Sequence, residues 1–248
     1  YSTEGIAVDA TFDDRIKKDL IKAEAVSGPL SLIILGLVFG SIVAALLPVG
    51  VGLFTVVSAL GVTIWLSTQI DVTNYATNII SLIGIGVSID YSLFLVNRFR
   101  EEIGRDRDIR TATAMTTATA GRAVFFSGLT VAIGLIGLLF FKNTTLPSLG
   151  IGGTLAVSIA MLFSILTLPA VLAILGHNVN KGKVPYAFTM DNDEGVWKQI
   201  ATTVMNNPWA VFIPIVLLLG GAGVPFLFAE FSLSSIESLP PEDEARNG

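Results

Sequence analysis

Gly84-Ile85-Gly86-Val87-Ser88-Ile89-Asp90-Tyr91-Ser92-Leu93-Phe94, followed by Arg98-Phe99-Arg100-Glu101-Glu102, is the stretch that decides the fold. It lies within an apolar segment, 75–97, long enough to cross the roughly 30 Å of bilayer hydrocarbon that a helix of about 20 residues spans. One carboxylate interrupts that segment. Asp90 falls eight residues before Arg98, about 12 Å along a helix, near or slightly below the membrane midplane. A charged side chain at that depth costs about 2.5–3.5 kcal/mol on insertion scales. It must pair with a cation or take a proton, and no Lys or Arg falls at matching depth in any span. Tyr91 adds a hydroxyl able to donate or relay. From these residues alone the pair reads as a proton-transfer site; the plainer alternative is a protonated Asp hydrogen-bonding between helices.

Five further segments qualify as spans, so that the set runs over 29–47, 49–68, 75–97, 123–141, 148–175 and 209–229. The composition agrees: 52% of the 248 residues are hydrophobic and 14% charged, where a soluble domain carries about a quarter charged residues. Backbone groups in lipid must be satisfied within their own segment, so the expected fold class is all-α, an integral membrane bundle of six transmembrane helices. The first two spans are separated only by Pro48 and its neighbours, read as a tight hairpin. With no cysteine, neither a disulfide nor a Cys-metal site can form.

Charge sets the orientation. The Pro48 hairpin, residues 98–122 and residues 176–208 share one side and net +2. The other connections and both termini net −6, with Asp90 as the remaining −1. The basic side is expected to be cytoplasmic and both termini extracytoplasmic. The chain starts at Tyr1 and stops in an acidic run, Glu242-Asp243-Glu244, and is expected to be part of something longer.

Around Asp90, the residues Ile83, Gly86, Val87, Phe94 and Asn97 recur at helical spacing, a face expected to be packed, with Gly86 leaving room for another helix or a small ligand. Ser127, Thr130, Gly134 and Gly137 recur at spacings of 3, 4 and 3, a small-residue stripe suited to close helix approach. It is expected to face the Asp90 helix, although packing alone accounts for it. Outside the spans, Thr11 to Val26 reads as a polar helix ended by Ser27-Gly28-Pro29. Residues 98–120 read as an interfacial helix. Trp197, Ile200 and Val204 mark a second one over 195–206, lying on the inner surface.

Other signals dissolve. Gly84 and Gly86 follow no strand and miss the dinucleotide fingerprint, and Gly150-Ile151-Gly152-Gly153 lacks a P-loop lysine. His177 is the only histidine and sits at a span end, so no metal site or catalytic triad is expected. Nothing suggests an enzyme, a cofactor or a nucleic-acid partner.

The Gly84–Phe94 and Arg98–Glu102 stretch resembles the fourth-helix signature of the MmpL transporters of the RND superfamily. Ala120-Gly121-Arg122-Ala123-Val124-Phe125-Phe126-Ser127-Gly128-Leu129-Thr130 resembles the start of that family's fifth helix. Leu149 to Gly153, through Leu168-Pro169-Ala170, resembles its sixth. The resemblance implies an RND-type bundle with helices two to seven present. Residues 1–28 would end a first extracytoplasmic domain, and 29–175 would hold helices two to six, a unit also similar to sterol-sensing domains. Residues 176–208 would be a cytoplasmic loop with an interfacial helix, 209–229 helix seven, and 230–248 the start of a second extracytoplasmic domain. It further implies a bacterial plasma-membrane exporter of lipids or glycolipids, driven by the proton gradient. Asp90 and Tyr91 would be one half of the relay, matched by an Asp-Tyr pair on the tenth helix, in the missing C-terminal half of helices eight to twelve. Ser127 and Thr130 would lie near it, with Ile83, Gly86, Val87 and Phe94 lining the channel. A SecDF-like protein-export motor and a sterol-sensing-like lipid-binding module are the alternatives.

Overall fold

The computed structural model describes residues 22, 25–70, 72–141, 145–184 and 196–228. The described elements are helices: α1 Ala25–Phe39, α2 Ile42–Ser67, α3 Asn74–Gly104, α4 Ile109–Thr116, α5 Arg122–Ile136, α6 Leu146–Leu162, α7 Leu168–Leu175, α8 Val196–Asn206 and α9 Pro208–Gly223. Two pairs fuse into single columns. A π turn at Thr117–Gly121 joins α4 to α5, and another at Phe163–Thr167 joins α6 to α7. Five columns are long and apolar enough to cross a membrane, and α1 is a shorter apolar helix. The all-α membrane architecture is as expected.

The chain divides into two compact units. Arg15–Thr189 holds α1 to α7. Within it α3 packs on both α2 and α6, which also meet each other, and α5 packs on α6. The contacts are built on small residues, which let backbones approach. A Cβ on Gly152 would stand 2.6 Å from the Ala76 carbonyl oxygen, and one on Gly128 would stand 2.9 Å from Met161 Sδ. Ser88 Oγ donates to Thr55 Oγ1 at 2.9 Å across the buried α2–α3 seam. Tyr1–Asp14 with Met190–Gly248 forms the other unit, which contains α8 and α9. The helix expected at 195–206 is present as α8.

Three expectations about breaks are corrected. Pro48 does not end a span: α2 runs through it, and the chain turns at Gly40, whose φ is +62°. Proline costs a helix one donor, and a protein-lined membrane helix tolerates that loss; a left-handed φ followed by a serine cap is the stronger stop. Ser41 Oγ accepts from Ala44 N. The same hydroxyl lies 2.8 Å from the Val179 carbonyl and 2.7 Å from that of Lys181. Ser27-Gly28-Pro29 does not break the chain either, because α1 passes through it. Residues 98–120 form no separate interfacial helix: they are the foot of α3, a short turn at 105–108 and the foot of the α4–α5 column. Most of the polar helix expected over 11–26, namely residues 11–21, 23 and 24, lies outside the described residues, as does the acidic run beyond Phe228.

The connections meet in two groups, one at each end of the bundle. At the basic end, Arg100 donates to the Phe39 carbonyl at 2.6 Å and to Asn180 Oδ1 at 2.7 Å. The Gly40 turn, the foot of α3 and the end of the α6–α7 column therefore share one end of the bundle. At the other end, Thr73 N donates to Ser148 Oγ at 3.1 Å, tying the α2–α3 connection to the start of α6.

Candidate functional site

Two stripes run along α3. Gly84, Ser88, the adjacent pair Tyr91 and Ser92, Leu95, Phe99 and Glu102 are buried along one side, three or four residues from one step to the next. Leu82, Gly86, Asp90 and Phe94, one helical step of four apart, are exposed. Ile83, Val87 and Asn97 flank the exposed row and are half-buried. The face expected around Asp90 is thus a single face, but it is open in this chain and not packed, a correction to the expectation. Its neighbours α2 and α6 cover the opposite side. A Cβ on Gly86 would meet nothing within 4 Å.

Asp90 and Tyr91 therefore do not share a surface. Consecutive helical residues point about 100° apart, and here that angle separates an exposed carboxylate from a buried phenol. Tyr91 is 8% exposed and packs in the main apolar cluster with Leu95, Val96, Phe99, Ala120 and Val124. Asp90 makes no ion pair or hydrogen bond among the described residues.

Ser127 and Thr130 lie elsewhere than expected. They and Gly134 are exposed on α5, and Gly137 is half-buried. Thr130 Oγ1 donates within its own helix, to the Phe126 carbonyl at 2.8 Å. The buried row of α5 is Val124, Gly128 and Ala132, and it packs on α6. The stripe of Ser127, Thr130, Gly134 and Gly137 does not form the contact with α3. A stripe of small residues on each of two faces leaves the choice to the neighbour, and the Met161 side chain chooses Gly128.

Glu102 was not anticipated. It is fully buried at the foot of α3, with Arg98 Nη2 2.6 Å and Arg105 Nη1 3.6 Å from Oε1, and Arg107 Nη1 on Oε2. The signal was in the spacing: Leu95, Phe99 and Glu102 continue the buried row into what the alternating charges suggest is a solvated loop. Ser92 and Ser164 are likewise fully buried, and their hydroxyls have no partner among the described residues. No cluster of His, Cys, Asp and Glu among the described residues suits a metal.

Set beside known proteins, residues 4–211 match the MMPL family model. The chain is 36% identical over 246 residues to the mycolic acid-containing lipids exporter MmpL11 of Mycolicibacterium smegmatis, covering 98% of this chain and 26% of that protein. It is 34% identical over 260 residues to the trehalose monomycolate exporter MmpL3 of Mycobacterium tuberculosis, covering 93% and 27%. A putative membrane protein of Streptomyces coelicolor is 34% identical, covering 94% and 32%. The chain thus spans between a quarter and a third of the length of these relatives.

Proposed function

Because the chain belongs to the MMPL family, we propose that it is part of the membrane portion of a proton-driven exporter of lipids or glycolipids, with Asp90 as the group that takes up and releases the proton. The observation that carries this reading is the open stripe Leu82-Gly86-Asp90-Phe94. A carboxylate partway along a membrane-crossing helix, on a face that this chain leaves bare, is costly in hydrocarbon. It is retained at little cost if a second surface covers it and a proton neutralises it in turn. The remainder of the full-length protein, helices eight to twelve, is that surface in this reading, and Gly86 gives it room one turn from the carboxylate. Tyr91 is the inward-facing member of the pair. Locked in the core, it ties the rotation of α3 to the state of Asp90.

The exported class is taken from the relatives named as lipid exporters. The basic end faces the cytoplasm of a bacterial cell, both ends of the chain face away from it, and the proton gradient is the only energy source needed. Ser127 and Thr130, on the exposed side of α5, are offered to the same second surface.

The test uses the full-length protein in proteoliposomes. Asp90→Asn should abolish gradient-dependent lipid movement while leaving thermal unfolding near that of the parent. Undiminished movement in that variant would overturn the assignment.

A further inference from the structure

The foot of the α4–α5 column carries a groove of about 900 Å³, walled by Ile109, Thr113, Ala114, Thr117, Ala118 and, from α7, Ala173. It has one charged group, Arg110. The groove belongs to none of the machinery described above. We propose that it seats one anionic glycerophospholipid of the membrane leaflet at the basic end, phosphate on Arg110 and chains along the alanine wall.

Four observations support this. The arginines around it are engaged elsewhere: Arg98, Arg105 and Arg107 on Glu101 and Glu102, and Arg100 on Phe39 and Asn180. Arg110 is exposed and makes no ion pair among the described residues. Its near neighbour Asp108 is turned to the Thr111 amide, 3.1 Å away.

The groove walls offer no competing donor. Thr113 donates to the Ile109 carbonyl at 2.8 Å and Thr117 to the Thr113 carbonyl at 3.0 Å, so what remains is methyl surface beside a single cation. An anionic headgroup on an alkyl tail complements that pattern; a free anion uses only the cation.

The polarity along the groove is that of a lipid standing in the leaflet. Ile109 abuts Gly176 at the basic ends of the columns, and Thr119 Oγ1, further along the α4–α5 column, accepts from Arg98 Nε at 3.3 Å. From Arg110 to Ala118 the wall rises about 12 Å toward the membrane, with charge at the aqueous end and apolar surface above it. Ile174, next to Ala173 at the rim, is 83% exposed, an apolar side chain that needs hydrocarbon against it.

The room comes from residue size. Alanine at 114, 118 and 173 keeps the wall low, and a longer side chain at any of them would fill the path of an acyl chain.

The full-length protein, stripped of lipid in a neutral detergent, is titrated with dioleoyl phosphatidylglycerol and, in parallel, dioleoyl phosphatidylcholine, with bound lipids counted by native mass spectrometry. One phosphatidylglycerol should be retained at collision energies that remove every phosphatidylcholine. Arg110→Ala should weaken that retention about five- to tenfold, the scale of one arginine at an anionic membrane surface. Ala118→Leu should weaken it without changing any charge, and Arg122→Ala, which removes a cation outside the groove, should not. Millimolar inorganic phosphate should fail to displace the lipid. Equal retention of the two lipids overturns the proposal. So do equal losses in Arg110→Ala and Arg122→Ala, and unchanged retention in both groove variants, the result expected if a protein segment covers the groove. If Arg110→Ala fails to fold, Arg110→Gln, which removes the charge and keeps much of the side-chain length, together with Ala118→Leu carries the same comparison.

Discussion

Asp90 and Glu102 are two carboxylates on one helix with opposite surroundings. Asp90 has an open face and no partner among the described residues; Glu102 has no exposure and three guanidinium groups. Removing Glu102 takes its carboxylate partner from Arg107 and leaves Arg98 and Arg105 with Glu101 alone at the foot of α3. Glu102→Ala is expected to lower stability by about 1–3 kcal/mol, below the figure for a wholly buried pair because the arginines are partly exposed to solvent. Thermal unfolding in detergent measures it, and Glu102→Asp should recover part of the loss. Asp108 is a different case, an exposed cap on α4. The Thr111 side chain first, then the Thr111 backbone amide, hold its carboxyl below the ordinary value of 3.8. A depressed carboxylate stabilises fully above its unfolded value and loses that contribution as pH falls through its folded one. Hydrogen exchange at the Thr111 amide should therefore be constant from neutral pH down to about 4 after correction for intrinsic rates, and protection should fall only below that. In Asp108→Asn this acid step should vanish. The sequence made Asp90 conspicuous because a lone carboxylate in an apolar run is visible without coordinates. The direction it faces was not visible, since the same spacing describes a packed face and an open one.

Helices were legible as elements, and their ends were less so. Six apolar runs give one short and five long helical columns, because length and hydropathy alone decide a span. The stops differ from expectation where glycine, not proline, ends a helix. α2 absorbs Pro48, while Gly40 at positive φ and the Ser41 cap make the turn. The π turns at Thr117–Gly121 and Phe163–Thr167 have no sequence signal that periodicity can detect, and each fuses two helices into one column. Close packing gives a test at this scale. Gly152→Ala places a methyl 2.6 Å from the Ala76 carbonyl and should destabilise by about 1–3 kcal/mol, the cost of overpacking. Gly86→Ala, with open space around it, should be neutral or stabilise by about 0.5–1 kcal/mol, as expected when alanine replaces glycine in a helix. Chemical denaturation of the two variants side by side compares a glycine that packs with one that does not.

At the scale of the molecule, the bundle α2–α3–α6 leaves one row of α3 uncovered. The chain spans between a quarter and a third of its relatives, and the bare row Leu82-Gly86-Asp90-Phe94 is where the rest of the protein is proposed to dock. Gly86→Trp should leave the stability of this bundle unchanged, yet abolish lipid movement in the full-length protein by holding the two halves apart. The central claim is that Asp90 carries the proton across that junction. Its most direct test is proton flux in proteoliposomes of the full-length protein, read by a pH-sensitive dye trapped in the lumen while lipid substrate and a pH gradient are supplied. The account predicts substrate-dependent flux in the parent, none above the protein-free leak in Asp90→Asn, and partial recovery in Asp90→Glu. Flux in Asp90→Asn equal to that of the parent would contradict it.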